Sequence, residues 1–474
     1  MPRRWRDRAT TAAAALLLTA HVVGQAAPAP VAFTAPDGSR FLLVADPSAS
    51  VVHWAVASPI DAAFDPAGHE GLAWTIARAS LHGTWRIGSH DVAREQESLL
   101  WLDEAWLRML RDPRDTVAAE DVRRWDEQAR ELCDKRAWLR ALAAAPAWQP
   151  QIVARDGAAV LSLTTTRDAL PAVARLLVER REDQALRDLP RGWLETFQER
   201  GRAHIADAMR GVRIELLALT LPGHPSARAF EPPNPAPPSR EQAAKAWAAT
   251  QAPGRAVHVL VGDLDVAETR TALAAAFARS DLVAPPAPTA PSPRPLAGTR
   301  RSQVTGVPAP LVALAWPLPA QLDGDTAATT AQWLAGDDGE IVRRLRAAGR
   351  ATARVAVTAP WPAAVDGRTL LMLEATDPAG IDGLADALVA VCAALAAAAP
   401  TDADLARTHD VRLRAWRAAN PDARSAAATA AVTHLAWPAQ DFRFGAPRPP
   451  AAAAVQACLQ QVFRAPAAIV EARP

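Results

Sequence analysis

The chain has 474 residues, half of them apolar and 22% charged, with 52 Lys+Arg against 51 Asp+Glu. That length exceeds one ordinary domain of roughly 100–200 residues, so two or more hydrophobic cores are expected, and the balanced charge lacks the basic field that gathers nucleic acid. There are 16 Trp and no Tyr, so no phenol is available to any chemistry the chain performs.

At the N-terminus, Arg3, Arg4, Arg6 and Arg8 precede a mostly apolar run over 11–23 and the small-residue triplet Gly24-Gln25-Ala26. This is the pattern of an export signal over residues 1–26, cut after Ala26. The run falls short of the about 20 apolar residues that span a bilayer, and no later segment is free of charge for that long. The mature chain is therefore expected to be soluble and outside the cytoplasm, periplasmic or secreted. Val31 to Phe33 and Phe41 to Val44 flank Pro36-Asp37-Gly38 and predict a hairpin, continued as a meander by a strand at Val51 to Val56. Helical periodicity follows over Glu70–Leu81, Glu97–Arg111 and, as one long element, Thr116–Ala144. Ala158–Thr165 reads as a strand, Leu170–Arg181 and Trp193–Met209 as helices, and Val257–Val261 as a strand ending at Gly262-Asp263.

Two proline-rich stretches punctuate the chain, one over 231–239 and one from Val283 to Pro295, and the second is the expected boundary between modules. Beyond it the pattern predicts a strand at Leu311–Trp316, one helix from Thr326 to Ala348, and strands at Ala353–Val357 and Thr369–Glu374. Helices near Ile381–Ala397, Asp402–Ala418 and Ala426–Leu435 follow, and a last strand, Ala468–Glu471, is placed to close the sheet. The order of strands and helices lacks regular βαβ alternation and predicts an α+β fold of two modules of similar type, each a mixed or antiparallel sheet packed with helices. They are an N-terminal module over 27–282, a linker over 283–299 and a C-terminal module over 300–474; the similar grammar suggests duplication. Cys133, Cys392 and Cys458 are too widely spaced for a C-x-x-C pair or a zinc knuckle, and buried free thiols are expected.

The stretch FLLVADPSASVVHWAVASPIDAAFDPAGHEGLAWTIARASLHGT, from Phe41 to Thr84, resembles the pitrilysin/insulinase family of zinc metallopeptidases. There a hairpin and a strand lead to Gly-Leu-Ala, then to H-x-x-E-H on a helix, and close on Gly-Thr; the frame stands here as Glu70-Gly71-Leu72-Ala73 and Gly83-Thr84. The resemblance implies two zinc-binding His four apart on one helical face and a Glu that activates the metal-bound water. Those positions hold Trp74, Ala77 and Arg78. An indole N–H only donates, a methyl takes no proton, and a guanidinium repels a cation, so the family chemistry is lost here and no zinc or other cofactor is expected. The third family ligand is a Glu seven residues after another Glu on a later helix; matching Glu199-Arg200 to that pattern puts Ala206 at the ligand position. His224-Pro225 and the strand VHVLVGDLD, from Val257 to Asp265, resemble later family segments. In the second module LVALAWPLPAQLDGD and DDGEIVRRLRAAGRATARVAV resemble the stretch that supplies a substrate-holding Arg and Tyr; Arg346 fits the Arg, and the Tyr position falls near Ala353.

Plainer readings cover the remaining candidates. His53, His69, His82 and His90 lie near the frame without i,i+4 spacing and are expected as surface or loop residues rather than a substitute metal site. His90-Asp91 lacks a nucleophile in a recognisable elbow. The charged stretch Thr116–Leu142 reads as a solvated helical face. Trp101, Trp106, Trp125, Trp138 and Trp148 recur at roughly helical spacing and are expected in the core rather than on the floor of a peptide groove.

The resemblance therefore implies a non-catalytic member of this family. Its expected role is that of the inactive partner of an active zinc-peptidase subunit, enclosing peptide or unfolded protein. The alternative from another class is a stand-alone extracytoplasmic binding or scaffold protein; an active peptidase with atypical ligands ranks last.

Overall fold

The computed structural model describes residues 29–283, 285–286, 296–319, 322–336, 338–361, 370–436 and 444–474. The expected signal peptide and most of the linker lie outside the described residues.

The first sheet is built from β1 (Val31–Thr34), β2 (Arg40–Ala45), β3 (Val52–Pro59), β4 (Ala147–Arg155), β5 (Ala158–Thr165) and β6 (Val257–Gly262), in the order β1-β2-β6-β3-β5-β4. The predicted hairpin forms, but the meander does not: β6 separates β2 from β3, parallel to the one and antiparallel to the other. VHVLVG is buried along its whole length, and a strand apolar on both faces belongs at the centre of a covered sheet.

The second sheet contains β7 (Arg300–Thr305), β8 (Leu311–Pro317), β9 (Arg354–Trp361), β10 (Leu370–Thr376) and β11 (Ala468–Arg473), in the order β7-β11-β8-β10-β9. The last strand thus lies inside the sheet, parallel to β7 and antiparallel to β8, rather than at its edge. Without β1, the two sheets match position for position, β2-β6-β3-β5-β4 against β7-β11-β8-β10-β9, each with its one parallel pair at the same place. This is the arrangement a duplicated unit gives.

The helices of the first half are α1 (Leu72–Ala79), α2 (Val92–Arg111), α3 (Thr116–Leu132), α4 (Ala137–Ala144), α5 (Leu170–Glu182), α6 (Leu189–Ala206), α7 (Arg210–Thr220), α8 (Arg240–Gln251) and α9 (Val266–Ala276). Those of the second are α10 (Gly324–Leu334), α11 (Glu340–Ala347), α12 (Leu384–Leu395), α13 (Asp402–Ala419), α14 (Ala423–Ala436) and α15 (Ala452–Phe463). The helix predicted over 116–144 is two: Cys133 turns extended and bridges Ser89, and the Asp134 amide donates to the Gly88 carbonyl, so α3 ends where the chain pairs with the loop before α2. The one predicted over 326–348 is also two, broken where left-handed Gly336 donates to the Val355 carbonyl. Sequence periodicity missed β4 and β7, whose exposed faces dilute the apolar pattern, and the helices α7, α8, α9 and α15.

Two helices cross between the modules. From the first half, α7 sets Val212, Leu216 and Leu217 against Leu311, Ala313 and Val470 of the second sheet. From the second half, α14 sets Ala427, Ala431 and Leu435 against Leu42, Ala55 and Val259 of the first. One face of each sheet is therefore covered by apolar surface from the other half, while the main core on the opposite face is built from that half's own residues. The three cysteines are buried free thiols; burial pushes Cys458 up to about 11 and Cys392 higher still, which leaves both inert. No helix among the described residues is long and apolar enough to cross a membrane.

Candidate functional site

α1 begins at Gly71, the glycine of the Gly-Leu-Ala frame. Its φ of 99° is left-handed, and a Cβ there would meet Thr196 Cγ2 at 2.9 Å and Arg200 Cδ at 3.0 Å, so only glycine lets α6 lie this close. The buried Asp65 carboxylate caps the helix, accepting from the Gly71 and Ala73 amides at 2.7 Å each. Burial raises Asp65 to about 7, against the pull of those two amides and of Arg200. At the far end, Gly83 has φ 92° and no room for a Cβ against the Ile87 carbonyl, and buried Thr84 donates to Glu179 at 3.2 Å.

Leu72, Ala73, Thr75, Ile76, Ala77 and Ala79 bury one side of α1. Thr75 Oγ1 meets Thr196 Oγ1 at 2.8 Å and ties α1 to α6 in the interior. Trp74 and Arg78, four apart, share the half-buried face where the family helix would present two histidines. The Arg78 guanidinium lies 5.7 Å from the centre of the Trp74 ring. It donates to Glu195 at 2.9 Å and to both oxygens of Glu199 at 3.2 and 3.4 Å. Ala77 is 1% exposed and lines a small internal void with Ser58, Ile152, Arg180 and Gln251.

Ala206 is the residue that the resemblance puts at the third ligand position. Ala206 is the exposed last residue of α6, about 10 Å along the helix from Glu199 at 1.5 Å per residue, and the α6 residues opposite the motif are Glu195 and Glu199. Glu195 went unnoticed in the sequence; the available signal was an i,i+4 carboxylate pair one turn after buried Trp193. Arg346 is exposed in the last turn of α11, and among the described residues no ion pair or side-chain hydrogen bond joins it to α1 or α6. Ala353 is buried.

The donors present do not fit a zinc ion. The two carboxylates are held by a guanidinium that brings its own positive charge to the spot, and no second ligand type is there to complete a tetrahedron. Among the described residues no group of three or more His, Cys, Asp or Glu could hold a metal. The four nearby histidines are dispersed: His53 meets Thr164 at 3.1 Å, His69 lies against Trp193, His82 meets Asp188 at 3.4 Å, and His90 is exposed. His224 is buried and its Nδ1 accepts from the Ser226 amide, which starts a short 3-10 turn.

The tryptophans divide. Trp138 is fully buried, whereas Trp101 and Trp148 are 50% and 38% exposed, so the expected core placement is corrected for these two. Trp101 stacks on Trp125 at 6.0 Å across the α2–α3 hairpin, which is held from its own flanks and leaves one aromatic face in solvent. The bulk of that hairpin is anchored by a fully buried pair, Arg187 with Glu95.

No family model and no curated protein matches the sequence. Solved structures do. The peptidase M16 inactive domain from Pseudomonas fluorescens aligns over 94% of this chain and 98% of its own, with a TM-score of 0.63 at 16% identity. A protease from Helicobacter pylori aligns over 94% and 100%, with a TM-score of 0.63 at 13% identity. Pitrilysin aligns over 94% of this chain and 46% of its own, with a TM-score of 0.57 at 15% identity, so this chain spans about half of it. The chain has the pitrilysin-like α+β fold.

Proposed function

We propose that this chain is a non-catalytic pitrilysin/insulinase-like protein, the inactive partner subunit of an extracytoplasmic zinc metallopeptidase. The observation that carries this reading is Arg78: it stands at the second-histidine position and engages the two α6 carboxylates that face it, so the spot is chemically closed to a metal. Ala77 stands at the position of the water-activating Glu and carries only a methyl group, which takes no proton. Support comes from the fold, which this chain shares over nearly the full length of a domain described as inactive.

What remains suits holding rather than cutting. β4 pairs on one side with β5 and is the outer strand of its sheet, packed beside α1, so it offers unpaired backbone groups to an extended peptide. The partner supplies the zinc and the bond cleavage; this chain supplies chamber wall and peptide pairing.

The test is affinity purification of the tagged mature chain from its native host, with mass spectrometry of its companions. Near-equal recovery of a chain carrying an intact H-x-x-E-H is the expected result. Recovery of no such chain would replace the paired-subunit reading with that of a stand-alone binding protein. Stoichiometric zinc together with peptide cleavage by the purified chain alone would overturn the non-catalytic reading itself.

A further inference from the structure

Beneath α1 the first module buries positive charge that its own carboxylates do not balance. Arg180, at 5% exposure, donates through Nε and Nη2 to the Ser80 hydroxyl, at 3.0 and 2.5 Å, and leans on the Trp247 ring, but no carboxylate pairs with it among the described residues. Its neighbour Arg181 already uses both acidic groups nearby, Asp37 at 2.8 Å and Glu182 at 2.7 Å. Burying an ion without a counter-charge is destabilising, because the lost hydration is not replaced.

Arg180, Arg181, Gln251 and His258 line a cavity of about 20 Å³ that opens beside exposed Gly254. A water-sized guest needs roughly 10–15 Å³, so the space is large enough to hold one. His258 is 6% exposed, and its Nδ1 accepts from Trp54 Nε1 at 3.3 Å, which puts the ring proton on Nε2. The two guanidiniums and that Nε2–H only donate. The Gln251 amide, also buried, makes no hydrogen bond among the described residues. A water molecule needs acceptors for its own two hydrogens; a surround made mainly of donors suits an anion.

We propose that this cavity is a binding site for a single halide ion, held by Arg180 with His258 and Gln251 and serving as the counter-ion that the fold lacks. Chloride is the abundant member of that class. The site adjoins the buried side of α1, away from the face that carries Trp74 and Arg78, and the proposal does not rest on the functional reading above.

The experiment uses the full mature chain. Crystals grown in sodium bromide should show a bromine anomalous peak in the cavity, and thermal unfolding should shift upward, with saturation, when gluconate is replaced by bromide or chloride at equal ionic strength. Arg180→Met should lose the halide dependence, whereas a general salt effect would persist in that variant. The absence of an anomalous peak, with water in its place, overturns the proposal even if midpoints shift, and it decides the matter on the unaltered chain should Arg180→Met fail to fold.

Discussion

Arg78 Nη2 lies 2.9 Å from Glu195 Oε2, across 117 residues of chain, so the side chain at the second-histidine position is paired with the very helix that carries the third ligand in the metallopeptidases this sequence resembles. The guanidinium holds the α1 face and the two α6 carboxylates together.

That relationship predicts what restoring the motif would do. The triple variant Trp74→His, Ala77→Glu, Arg78→His should bind about one zinc ion per chain, since two His four apart would face the freed carboxylates. Adding Glu195→Gln and Glu199→Gln should abolish the binding, and Ala206→Glu should leave it unchanged. Metal content by plasma mass spectrometry after dialysis checks this; zinc retained without both α6 carboxylates would show that the facing residues are others.

The Arg187–Glu95 pair is 0% exposed on both sides, with Arg187 Nη2 at 2.9 Å from Glu95 Oε2 and its Nη1 donating to the His82 carbonyl. Glu95→Gln leaves a buried cation unpaired and should cost about 3–5 kcal/mol. Replacing both residues with apolar ones should cost clearly less than the single change. Urea unfolding of the parent and the two variants measures this, and equal losses in the single and double variants would contradict the account.

Asp65 gives a pH signature. Its folded-state value is raised from 3.8 to about 7, so between about pH 4 and pH 7 the unfolded chain has released a proton that the folded chain still holds. Stability contributed by this group is therefore full below pH 4, falls as pH rises through that window, and is level above it. Asp65→Asn cannot titrate, so the stability of the parent relative to this variant should decline from pH 4.5 to pH 7.5. A pH-independent difference in urea midpoints would count against the raised value.

The exchanged helices couple the two modules. Ala427 and Ala431 are both 0% exposed where α14 meets the first sheet, so Ala427→Leu should destabilise by about 1–3 kcal/mol through overpacking. Because one face of each sheet is covered from the other half, calorimetry should show one transition moved to lower temperature. A separate early transition, with the second module's melting unmoved, would mean that the modules fold independently.

Local chemistry made much of this protein readable from its sequence. The hairpin at Asp37-Gly38 and the places of Trp74, Ala77 and Arg78 along α1 depend on spacing within a few turns, and the α+β character follows from the mixed strand and helix periods. That Trp74 and Arg78 share one face was legible for the same reason: i,i+4 residues do so wherever the helix lies.

Tertiary structure alone decided which residues meet across long intervals. The slot of β6 between β2 and β3, the crossing of α7 and α14, and the choice of Glu195 and Glu199 over Ala206 each depend on two surfaces finding one register through packing. Between Arg78 and Glu195 the chain spends α2 through α5 before it returns, and no count along the sequence can fix which turn of α6 then faces α1. That is set by where Thr196 and Arg200 can lie against Gly71, a steric fit that exists only once both helices are in place.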